Sequence, residues 1–190
     1  YLRISAIATT TQPMESTHAF NTDPLIQALE QSDSLRRQER AERIRWLSPH
    51  QVEFNGLIGG STELISLLME ARECFIEGHY IATLVLATAV IEHLLSSELT
   101  AYGKATYGLS FERAIKIATE EGLFTPEALA QAEKLRVVRN PFAHRKPDDH
   151  PHTLGNRFRA EQRHPNLVVR DDAQTALITM YAFFRHTLKL

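Results

Sequence analysis

The chain has 190 residues, of which 43% are hydrophobic and 23% charged, with a net charge of −2. That length suits one domain with extra segments and a real core, and the charge balance excludes a globally basic nucleic-acid binder. Cys74 is the only cysteine, so no intrachain disulfide can form, which fits a reducing, cytoplasmic setting. The longest uncharged apolar stretch, Tyr80 to Ile91, is too short for a bilayer, so no membrane partner is expected. Tyr1 to Ala8 lacks a signal-peptide layout, and the absence of an initial Met is consistent with a fragment.

Residues 1–22 carry Thr9, Thr10 and Thr11 and no helical period, and read as a loosely ordered arm. Asp23-Pro24 is a helix start, with Asp as cap and Pro at the first helical position. The pattern runs to about Trp46, where arginines alternate with Glu39 and Glu42. It reads as a solvated helix face, and a second phosphate-binding surface is the alternative. Residues 23–60 thus form an N-terminal helical extension. Gly59-Gly60 breaks the chain, and Ser61 can cap the next helix. Leu57 to Ser61 is a turn without the spacing of a nucleotide fingerprint.

From residue 61 the chain is firmly helical. Leu64, Leu67, Leu68, Ala71 and Phe75 recur at helical spacing. After Gly78, His79 to Leu99 is apolar around most of its circumference, the pattern of a central bundle helix. Ser110 begins an amphipathic helix that Gly122 ends. Thr125-Pro126 opens the next, which delivers the chain to Arg139. Lys146 to about Asn166 is polar and without period, a basic loop. Asp171-Asp172 then caps a final helix whose inner face includes Ala176, Leu177, Met180, Phe183 and Phe184. No strand alternation competes, so the expected class is all-α, a helical bundle.

Arg139-Asn140-Pro141-Phe142-Ala143-His144 carries the chemistry. Arginine suits phosphate through its planar fork of donors, and histidine exchanges protons near neutral pH. Together they can grip a phosphodiester and move the proton of an RNA 2′-hydroxyl without a metal or other cofactor. Pro141 lacks an amide proton and opposes helix at Asn140, while Asn is a preferred cap. One helix is therefore expected to end near Val138–Arg139 and a short one to begin at Pro141, with a strongly kinked single helix as the alternative. On an unbroken helix, residues five apart stand about 140° apart; a break would swing Arg139 and His144 onto one surface. It would also put His144 near a helix N-terminus, whose positive end favours a neutral imidazole.

These residues resemble the signature of the HEPN family, an Arg followed four to six positions later by His, often with Asn directly after the Arg. Glu77-Gly78-His79-Tyr80, the apolar helix carrying Glu92, and a last helix after a variable loop resemble the family too. The resemblance covers about residues 61–190 and implies a HEPN-like helical bundle. It implies a metal-independent endoribonuclease, commonly a homodimer with two motifs facing one site, acting in prokaryotic defence or a toxin–antitoxin system. RNA, and an antitoxin or other defence protein, would be its partners. By the same resemblance His144 is base or acid, and Arg139 binds the scissile phosphate. Asn140 caps the short helix and orients the pair, and Glu92 is the buried partner of Arg139 or His144. One toxin subgroup carries a Tyr three residues after the His; Pro147 stands there, so that subgroup's partner is not implied. A noncatalytic HEPN module binding RNA, a nucleotide or a protein is the alternative function.

Between Lys134 and Arg170 lie nine basic and three acidic residues, +6 in a chain of net −2. Arg136, Arg145, Lys146, Arg157, Arg159 and Arg163 are the expected RNA contacts, and Phe158 could stack on an unpaired base. An ordinary polar loop rich in arginine is the alternative. His150-x-His152 supplies two ligands where zinc needs three or four, so no metal site is expected. Cys74 reads as core, and His93 is assigned no chemistry.

Overall fold

The computed structural model describes residues 23–51 and 61–188. The arm expected at 1–22 and the break at Gly59-Gly60 lie outside them. Two compact units divide the chain, Tyr1–Arg37 and Gln38–Leu190. Among the described residues there is helix and no strand, so the all-α expectation holds. The helices are α1 (Pro24–Leu47), α2 (Thr62–Glu77), α3 (Tyr80–Ala101), α4 (Phe111–Glu121), α5 (Pro126–Ala143), α6 (Leu154–Glu161) and α7 (Pro165–Thr187), with a short 3₁₀ turn at Ser48–His50.

The described part of the first unit is the start of α1. There Asp23 accepts a hydrogen bond from the Leu25 amide at 2.8 Å, and Leu25, Leu29 and Leu35 are exposed.

The second unit is built around α3, which packs against α2, α4, α5 and α7. Its apolar circumference explains this position. Leu84, Ala87, Val90, Ile91, Leu95 and Leu99 are fully buried. Thr83 and Thr88 are buried as well, and their hydroxyls donate back to the carbonyls of His79 and Leu84, which satisfies them without a partner on another helix. The apolar stretch ending at Ile91 proves to be part of a 22-residue helix. By length and composition α3 could cross a bilayer, a test that the central helix of a bundle passes as well. In this fold its buried side chains are covered by four other helices.

Helix starts follow the caps. Ser61, Ser110 and Thr125 each accept from a backbone amide three residues on, worth about 1 kcal/mol each. Gly78 and Gly122 end α2 and α4 in the left-handed conformation, where a side chain is strained. Two boundaries differ from expectation. The polar stretch contains α6, and α7 begins at Pro165 with His164 as cap. Asp171 and Asp172 are therefore interior to α7 and cap nothing; their carboxylates pair with Arg163 and Arg157.

Candidate functional site

The motif lies at the end of α5. Leu129, Ala132 and Leu135 bury one face of this helix, and Val138 and Phe142 pack against the core beyond them. The helix continues through Asn140 and Pro141 to Ala143, as in the single-helix alternative. The expected break at Arg139 does not occur, so the swing that would bring Arg139 and His144 onto one surface is absent. Pro141 sits in the last turn, where its missing amide costs the single bond to the Val137 carbonyl. The ladder resumes after it: the His144 amide donates to the Asn140 carbonyl at 2.8 Å.

This geometry corrects two expectations. Asn140 is a helix-interior residue and caps nothing. His144 is the C-cap of α5, in extended conformation (φ −140°, ψ 129°), so it stands at the negative end of the helix and not at an N-terminus.

Arg139 and Glu92 do meet. Nη2 of Arg139 donates to Oε2 of Glu92 at 3.2 Å, joining α5 to α3. The side chains are 16% and 33% exposed, so Glu92 is half-buried and not enclosed. Nε of Arg139 is buried without a partner, which leaves a donor unused. His144 and Arg145 are exposed, and neither side chain has a hydrogen bond or ion pair among the described residues. An open groove of about 810 Å³ adjoins Glu92 and is lined by His93, Ser96, Ser97, Thr100 and Thr106. Glu92, Ser96 and Thr100 recur at a spacing of four along α3, a polar stripe legible in the sequence.

The basic residues divide into two sets. Arg157 makes a two-pronged pair with Asp172 at 2.5 and 3.0 Å, and also reaches Glu161. Its pKa is raised, chiefly by the Asp172 hydrogen bond. Arg163 pairs with Asp171, and its pKa is raised for the same kind of reason. Arg136 is held by Glu133 at 2.7 Å and lies 3.7 Å from Glu112. These three expected RNA contacts are therefore committed within the fold. Arg145, Lys146 and Arg159 have no such partners among the described residues. Asp171, Asp172 and Glu133 lie just outside the window counted in the sequence; including them gives nine basic against six acidic residues, +3.

The loop is ordered by its own bonds. Nδ2 of Asn156 donates to the carbonyls of Asp148 and His150, tying α6 to the turn that follows Arg145-Lys146. Phe158 on α6 is 43% exposed. The rings of His150 and His152 stand 5.6 Å apart, and no third metal-ligating side chain joins them among the described residues. No family model, curated protein or solved structure matches the chain.

Proposed function

We propose that the protein is a HEPN-type, metal-independent endoribonuclease of a prokaryotic defence or toxin–antitoxin system, working as a homodimer in the cytoplasm. The observation that carries this reading is the Arg139–Glu92 pair in a motif that also presents an exposed His144. Glu92 holds the guanidinium by one nitrogen, which leaves donors for a phosphate oxygen. His144 accepts the proton of an RNA 2′-hydroxyl, the 2′-oxygen attacks the adjacent phosphorus, and the bond to the 5′-oxygen breaks. That leaving oxygen takes a proton from an acid, and a twofold contact would supply it from a second copy of His144. Arg139 offsets the charge that builds on the phosphate. Arg145, Lys146 and Arg159 guide the RNA backbone.

A noncatalytic module that binds RNA, a nucleotide or a protein is favoured by one observation. Arg139 is largely withdrawn from solvent and already paired, as a structural arginine would be.

The test is cleavage of structured and single-stranded RNA in EDTA by wild type and His144→Ala. His144 is exposed, so the variant is expected to fold and to lose cleavage. Wild type should leave 2′,3′-cyclic phosphate ends. Cleavage that survives both Arg139→Ala and His144→Ala refutes the ribonuclease; binding without cleavage supports the module.

A further inference from the structure

A second groove lies away from the motif, and its volume, about 870 Å³, falls in the range of small-molecule sites, roughly 300–1,000 Å³. Leu67 of α2, Ile81, Val85 and Leu86 of α3, Leu154 of α6 and Val169 of α7 give it an apolar lining from four helices. Ile81 is 46% exposed there, a large apolar side chain left facing the opening.

Two side chains of the lining besides Cys74 and Tyr80 can titrate, Glu70 and His79. Glu70 is its only carboxylate, and no Lys or Arg lines it. Glu70 is exposed and has no ion pair among the described residues. Arg43, whose guanidinium would lie 3.5 Å from a Cβ at Gly78, is already held by the Ile76 carbonyl and Glu39. The Cys74 thiol, which also lines the groove, is pushed up by burial and further by the charges of Glu70 and Glu73.

We infer that the groove between α2 and α3 binds a small organic cation with an apolar body, its ammonium at Glu70 and its body on Ile81, Val85 and Val169. An anion of the same shape would meet Glu70 with no lining Lys or Arg to receive it, and a neutral molecule would gain only the apolar contact.

The single cysteine makes the site directly readable. Naphthylmethylamine, naphthalenemethanol and naphthoate share one apolar body and differ in charge. Their affinities, read from naphthyl fluorescence, are expected to fall in that order, with the amine roughly fivefold tighter than the alcohol, the upper end for an exposed charge pair. Saturating amine should slow iodoacetamide alkylation of Cys74 at mildly alkaline pH. Glu70→Gln, an exposed position where the fold is retained, should bring amine and alcohol to equal affinity. Ala82→Phe, which fills the groove, should weaken all three. Equal binding of naphthoate and amine, or Cys74 alkylation unchanged by bound amine, overturns the proposal. So does Cys74 protection that grows with protein concentration alone, because a second copy of the chain would then cover the groove.

Discussion

A charged side chain on an apolar helix must be partnered or reach water, and Glu92 does both. It meets Arg139 at 3.2 Å while keeping a third of its surface in solvent. Such a pair is screened, so its coupling is small. A double-mutant cycle with Glu92→Gln and Arg139→Gln, read by urea midpoints, is expected to give about 1 kcal/mol. A coupling near zero would mean the two side chains merely lie close. Glu92→Gln alone should reduce RNA cleavage more than it reduces stability, because it frees a guanidinium that the proposed reaction needs in a set position.

At the scale of elements, α5 and the α6–α7 pair show two ways in which packing overrules local preference. In α5 the apolar residues Leu135, Val138 and Phe142 hold a proline inside the last helical turn. Pro141→Ala restores an amide donor for the Val137 carbonyl. It should stabilise the protein by about 1 kcal/mol, less than the roughly 3 kcal/mol of a mid-helix proline, measured by thermal or urea unfolding. In α6, Arg157 is 15% exposed and Asp172 14%. Arg157→Gln should therefore cost about 2 kcal/mol of stability, as a lost charged hydrogen-bond pair. Arg163→Gln, at an exposed pair, should stay within about 0.5 kcal/mol. RNA affinity should follow the other set: Arg145→Glu, Lys146→Glu and Arg159→Glu should each weaken binding, and the three together should flatten its salt dependence. Anisotropy at two salt concentrations separates these effects, and equal losses from Arg163→Glu and Arg159→Glu would show that the ion pairs do not decide.

Across the second unit, α3 and α7 form the centre on which the motif rests. Phe124 stacks on Phe183 at 4.5 Å, and Phe75 joins Trp46 and Tyr80. Tyr181 of α7 lies in this core at 2% exposure. Burial pushes its phenol up from the ordinary 10.0, although Arg72 opposes the shift. The unfolded chain loses this proton near pH 10 while the folded chain keeps it. The stability from this group is thus complete below about pH 10 and is lost as pH rises through the folded pKa. Tyr181→Phe should keep neutral-pH stability and lose less above pH 10, by up to about 1.4 kcal/mol per pH unit, seen in urea midpoints on either side of that pH.

By itself the sequence determined the all-α class, the caps at Ser61, Ser110 and Thr125, and the central place of α3. Each is written in neighbouring residues, through hydrogen bonds three positions apart or an apolar period of one helix. Through the family resemblance it also pointed to Glu92 as a partner for Arg139 or His144, and the structure places it on Arg139. Only the tertiary structure decided that α5 continues through Pro141, because the packing that opposes the proline comes from distant helices. Which arginines remain free was equally hidden: Arg157 and Arg163 are neutralised by acids of α7, brought to them by the fold and not by sequence spacing. Charge counted along a chain ignores where the opposite charges lie in space, and ion pairs form by distance in three dimensions.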